Sequence, residues 1–235
     1  EPGDLVSVVV EDDERLFRVT DVSDHNVREI EARAVDTNIY DVVANVSRPR
    51  SGDDEIIAGA PLGYFLDLPL LRGDENPEVG YFAARQAPWP GSIAVYRSPE
   101  ETGFALQALV EAPAILGLTE SELPAGPPSR FDRATRLQVA VDGGQLSSIS
   151  TIQLLGGQNV AAVRNSEGDW EVLQYARAEL VGVGVYELSD LLRGQAGTEN
   201  TMQTAVPPGS PFVLLDSSLI ALPQTLADIG LAYTW

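Results

Sequence analysis

From Gly63 to Glu111 this chain meets a Pro, Gly or Asp every few residues, and that punctuation restricts it to short extended runs. Candidate strands remain at 63–71, 79–86, 92–98 and 104–111, a spacing that predicts an all-β module. Upstream, residues 5–10 are apolar and β-branched, and RLFRVTDV at 15–22 roughly alternates. VREIEARAV at 27–35 repeats with period two, Val27, Ile30, Ala32 and Ala34 being partly in phase. The acidic run Glu11 to Glu14 reads as the hairpin turn between the first two runs. Residues 36–46 are ambiguous. Downstream, residues 137–141 alternate, and Val181, Val183 and Val185 alternate with Gly182 and Gly184. That pattern marks a half-buried strand approached closely on its other face. Residues 212–215 read as a short buried strand. A helix is possible over 173–180, with Gly182 and Gly184 to stop it. Two stretches read as linkers: SRPRSGDD at 47–54 and the Pro- and Gly-rich run from Pro113 to Arg130. The expectation is a mainly β chain with little helix, built as two or three small sandwich- or barrel-like modules. These are a β segment at 1–50, a β module at 51–125 and a C-terminal β module at 126–235.

Composition narrows the chemistry. The 235 residues are 44% hydrophobic, enough for a core, and carry a formal net charge of −20. Duplex DNA repels such a surface unless its cations are clustered. The 15 cations are scattered, as at Arg48-Pro49-Arg50 and between Arg130 and Arg136, so direct nucleic-acid binding is not expected. All 15 are arginine, which excludes a Schiff-base lysine, a pyridoxal anchor and a phosphate-loop lysine. The absence of cysteine excludes a thiol nucleophile and a zinc–thiolate site. His25 is the single histidine, so a multi-histidine metal site is excluded too. No apolar run approaches the ~18 residues of a membrane span. Glu1-Pro2-Gly3-Asp4 reads as turn chemistry rather than a leader, and a start without Met points to a piece of a longer polypeptide. No cofactor and no metal are expected.

Among candidate sites, the most specific phrase is YELSDLLRGQAGTE at 186–199, abbreviated earlier as DLPLLRGDE at 67–75. The amides of Gly194, Gly197 and Thr198 could cradle an anion with Arg193 as clamp. Glu199 and Asp190 would repel that anion. The competing reading is a structural or interface corner of Arg193, Gly194, Gly197, Thr198 and Glu199. There Arg193 forks onto Glu199, Asp190 or loop carbonyls. Acid pairs at 11–14, 53–55 and 100–101 lie in polar turns, whereas a catalytic acid needs apolar surroundings to raise its pKa. SGDDE at 51–55 and NSEGDWE at 165–171 fall short of a calcium loop's spacing. His25, in DVSDHN, has no nucleophile-elbow serine to serve and reads as a surface-loop residue. Trp89, between prolines in APWPG, either displays a ring to a sugar or protein partner or packs on those prolines. None of these patterns requires an enzyme.

Three phrases, in order, resemble the large phage-tail and gene transfer agent baseplate proteins, the "megatron" or host-specificity type of tail-tip hub. They are PGDLVSVVVEDDERLFRVTDVSDHNVREIEARAVDTNIYD at 2–41, LPLLRGDENPEVGYFAARQAPWPGSIAVYRS at 68–98, and LLGGQNVAAVRNSEGDWEVLQYARAELVGVGVYELSDLLRGQAGTE at 154–199. The third is the most specific. The family's glycosidase-like barrel domain finds no counterpart, so its chemistry is not carried over. The chain resembles the portion C-terminal to that domain. The resemblance implies a virion structural protein, assembled in the bacterial cytoplasm and residing at the tail tip. Its implied partners are further copies of itself, as a trimer, and other baseplate and tail-fibre proteins; a host surface polysaccharide is the partner expected of a carbohydrate-binding module. The alternative is a carbohydrate-binding module for a host glycan.

Overall fold

The computed structural model describes residues 1–10, 13–25, 27–35, 59–71, 78–126 and 130–235. The turn residues 11–12, the linker and ambiguous run at 36–58, and most of the short RGDE copy lie outside them. The chain is mainly β and divides into two compact units, 1–55 and 56–235.

The first unit holds three antiparallel strands, β1 (Leu5–Val10), β2 (Asp13–Asp24) and β3 (Arg28–Ala34), in that order. Register places Val6 opposite Phe17, Phe17 opposite Ala34, Val19 opposite Ala32 and Val22 opposite Ile30. Directly paired residues share a face, so these side chains form one apolar face. Phe17 and Val19 are odd while Val22 is even. A bulge between Val19 and Asp21 supplies the missing step, and Thr20, the extra residue, turns its hydroxyl to the Glu31 carbonyl. The rough alternation of RLFRVTDV is therefore a true period two with one re-phasing.

The second unit is organised around a closed barrel. Its strands are β4 (Leu62–Leu66), β5 (Tyr81–Arg85), β6 (Ile93–Arg97), β7 (Ala105–Val110), β8 (Leu116–Thr119), β9 (Phe131–Asp132) and β10 (Leu137–Asp142). Then follow a helix, α1 (Thr151–Leu155), and β11 (Val160–Arg164), β12 (Trp170–Gly182), β13 (Val185–Leu192), β14 (Pro211–Leu214) and β15 (Ile220–Ala221). Antiparallel pairing runs β10-β8-β14-β11-β12-β13, and β13 pairs back onto β10, closing a ring of six. β9 continues along the β13 edge beyond β10. Closure removes the free edges an open sheet would leave.

The interior is filled by side chains, among them Leu137 and Val139, Ala161 and Val163, Leu173 and Tyr175, Leu188 and Leu191, and Phe212. One outer flank is buried as well. Leu116, Ala162, Val172 and Val213 meet Leu66, Tyr81 and Ala83 from the β15-β5-β4 sheet, with Leu68 just beyond β4. The other side of β5, through Ala84, packs with Val95 and Val110 of the β6–β7 hairpin. Barrel, small sheet and hairpin thus form successive layers.

Four differences from the sequence reading have physical causes. The 181–185 stretch is not one half-buried strand but the hairpin joining β12 to β13, with Val183 exposed at its tip and Gly184 at φ 70°. The 173–180 stretch is part of β12, not a helix, because Leu173 and Tyr175 face the barrel interior and both edges are paired. The described α-helix is instead α1, capped by Ser150 in a reciprocal box with Gln153. The boundary placed at 125/126 falls inside the second unit: β8 arises from the presumed linker 113–130, and β15 returns to β5.

Candidate functional site

β13 leaves the barrel at the LLRG corner. Its interior residues Leu188 and Leu191 are three apart because Asp190 takes φ 52° between them. The next inward position is therefore Arg193. On β12, Glu171 shares the face of Leu173 and Tyr175 by two-residue alternation. Both side chains are fully buried at this end of the barrel. Arg193 Nε donates to one Glu171 oxygen and Nη2 to the other at 2.8 Å. Nη1 donates to the Pro124 carbonyl at 3.0 Å. Leu123, beside that carbonyl, bridges Val206 and joins the interior cluster. One guanidinium thus ties β12, the corner and the 122–126 strap across the barrel mouth, with the bidentate geometry that suits Arg to a carboxylate.

The rest of the corner serves the same closure. Gly194 sits at φ 58°, and a Cβ there would meet Met202 Sδ at 2.7 Å and Glu199 Cα at 2.9 Å. Its N–H donates to Glu171 at 3.3 Å. Thr198 is buried, and its hydroxyl accepts from the Val172 N–H at 3.0 Å while donating to the Gln195 carbonyl at 2.8 Å. The hydroxyl takes over where the β12–β13 ladder, ending at Gln174 and Leu192, no longer supplies a partner. Gly197 opens the turn at φ 89°. Glu199 is exposed and Asp190 pairs with Arg177 at 3.0 Å, so neither is the partner of Arg193. An anion cradle is not formed: the Gly194 amide already faces the Glu171 carboxylate, and the Thr198 amide faces the Gln195 carbonyl.

A second acid, Asp132, lies close enough to feel Arg193. Burial raises its carboxyl, but hydrogen bonds from the Thr135 side chain and the Thr135 and Ala134 amides outweigh that. With the charge of Arg193 they hold it below the ordinary carboxylate value.

The remaining candidates are not brought to this site. Trp89 is half-buried against the cluster of Ala84, Val95, Val110 and Leu222. His25 is exposed after β2, and Glu100 and Glu101 are exposed in the β6–β7 turn. In the 165–171 stretch, Asn165 Oδ1 accepts from the Glu167 and Asp169 amides, fixing the turn. Its final acid, Glu171, belongs to Arg193. Among the described residues no cluster of three metal-ligating side chains occurs, and no helix is long and apolar enough to cross a membrane.

Sequence reasoning missed Glu171 and the Pro124 carbonyl. The available signal was a lone Glu inside the run WEVLQYA, all of it buried, where an unpaired carboxylate would be costly.

These features define a small closed β-barrel protein whose end is locked by a buried ion pair. Residues 114–213 match the family model described as Rcc01698-like, C-terminal, and this part of the chain is similar to that family. The matched stretch spans all six barrel strands but for the last residue of β14. It contains the third resembling phrase, 154–199; the other two phrases fall outside it. No curated protein matches the chain.

Proposed function

We propose that this chain is a structural component of a phage-like tail tip or baseplate of the gene transfer agent type. In this reading it is assembled in the bacterial cytoplasm, associates with further copies and with neighbouring tail proteins, and contributes to host-surface contact. The observation that carries the proposal is the match of the whole barrel to the C-terminal family of Rcc01698, a gene-transfer-agent-associated protein. The order of the three resembling phrases supports it.

The site's chemistry is consistent with a mechanical role. Its buried carboxylate is taken up by a bidentate arginine and is not presented to a substrate, as a general acid would be. Arg193 and Glu171 would keep one barrel end rigid beneath whatever neighbours the outer surface meets. Immunogold labelling of purified particles with an antibody against residues 114–213 checks this. Gold at the tail tip is the expected result; gold on the capsid, or particles without the chain, rejects it.

A further inference from the structure

On the outer flank of the barrel, opposite to the interior, a cleft of about 670 Å³ opens between β11, β12, the corner and the loop after β14. Its size lies within the range of small-molecule sites. Val160, Val172, Leu215 and Leu219 give it an apolar floor. Three of its lining residues carry hydrogen-bond acceptors: Gln174, Gln195 and Asp216.

Gln174 is the most informative. It is 7% exposed, and its amide nitrogen lies 2.8 Å from both the Leu154 and Gln158 carbonyl oxygens. Only N–H groups can face two carbonyls, so the amide orientation is fixed and both its hydrogens are engaged. Oε1 accepts from no described residue and is not fully enclosed, and it belongs to the side chain that borders the cleft. An open acceptor of this kind is available to a ligand or to water. Gln195 is held by one such bond: its nitrogen donates to the Arg193 carbonyl at 2.9 Å, which leaves its oxygen and one N–H without a partner among the described residues. Asp216 accepts from the Ser218 amide and hydroxyl through Oδ1 alone, so Oδ2 is open. The adjacent Ala196 holds φ 53°, a conformation uncommon outside glycine, and it brings Gln195 to the rim.

We propose that this cleft binds a short neutral oligosaccharide. The complement of several fixed acceptors is a donor-rich ligand. Two of the three acceptors are neutral amides, which match hydroxyl groups better than they match a cation. The aliphatic floor suits the C–H face of a pyranose, and a sugar carries that face and vicinal hydroxyl donors in one rigid body. The cleft stands on its own lining, so binding here and residence at a tail tip succeed or fail separately.

The test is an NMR titration of the 235-residue chain, following the side-chain amide resonances of Gln174 and Gln195. The probes are maltotriose, cellotriose, mannotriose and triacetylchitotriose, with the peptide Gly-Arg-Gly as the cationic control. At least one trisaccharide is expected to shift both resonances saturably. Asp216→Asn should weaken that binding about tenfold, the loss of one hydrogen bond to a charged group. Ser217→Trp, on the exposed rim, should fill the cleft and abolish it with the melting temperature unchanged. The proposal is overturned if no trisaccharide moves the two resonances, if only the peptide does, or if binding survives Ser217→Trp.

Discussion

Arg193 makes three hydrogen bonds, two to Glu171 and one to Pro124. A buried pair of this kind is a poor source of net stability, because desolvating both charges offsets their attraction. Removing one partner is a different matter, since it strands the other charge. Arg193→Ala is expected to cost about 3–5 kcal/mol, a fall in Tm of roughly 10 °C for a chain of this size. The double variant Arg193→Met/Glu171→Leu restores an uncharged interior and should recover most of that loss. Thermal melts of the single and double variants check both statements. If the double variant is as unstable as the single, the strap's bond to Pro124, not the charge pair, closes the barrel. Sequence alone could name Arg193, Gly194 and Thr198 as a corner, because turn chemistry is local. It could not name Glu171, which lies 22 residues away on another strand and is joined to the corner only by barrel closure.

Among the elements, legibility followed how each strand is buried. β1, β10 and the β4 to β7 strands lie between turn formers or alternate, and their positions were readable within a few residues. β11 and β12 are buried on both faces over most of their length, so the periodicity that marks a strand is lost. β8 was hidden for another reason: its sequence, LGLT, sits in a Pro- and Gly-rich stretch that reads as linker. Its glycine is a requirement of the closed ring. Gly117 is paired with Phe212 on one side and Val141 on the other, and a Cβ there would come within 2.4 Å of the Ala140 carbonyl oxygen. Backbone, not a movable side chain, blocks that space. Gly117→Ala is expected to destabilise the protein by about 1–3 kcal/mol, the usual cost of overpacking, despite alanine's lower unfolded-state entropy. Chemical denaturation should show a lower midpoint with an unchanged slope. An unaltered midpoint would mean that β8 and β10 can separate without cost.

For the whole molecule, the division at 55/56 separates two units of unlike self-sufficiency. The second has three hydrophobic clusters, a closed ring of strands and its own ion pair. The first has a twelve-residue central strand and a continuous apolar face, yet among the described residues of its sheet Val19 is the buried hydrophobic one, while Val6, Val8 and Ile30 are 37%, 43% and 54% exposed. Three strands need a packed apolar face for independent stability, and backbone ordering alone costs on the order of 1–2 kcal/mol per residue. A fragment of residues 56–235 is therefore expected to melt cooperatively, with near-ultraviolet dichroism from the buried Trp170 and Tyr175. A fragment of residues 1–55 is expected to show no cooperative transition by itself. Circular dichroism melts of the two fragments and the full chain measure this. A sharp transition in the short fragment would mean that the first unit has a core of its own. Loss of cooperativity in the long fragment would mean that the barrel depends on the first unit for its fold, and that the two are one cooperative body.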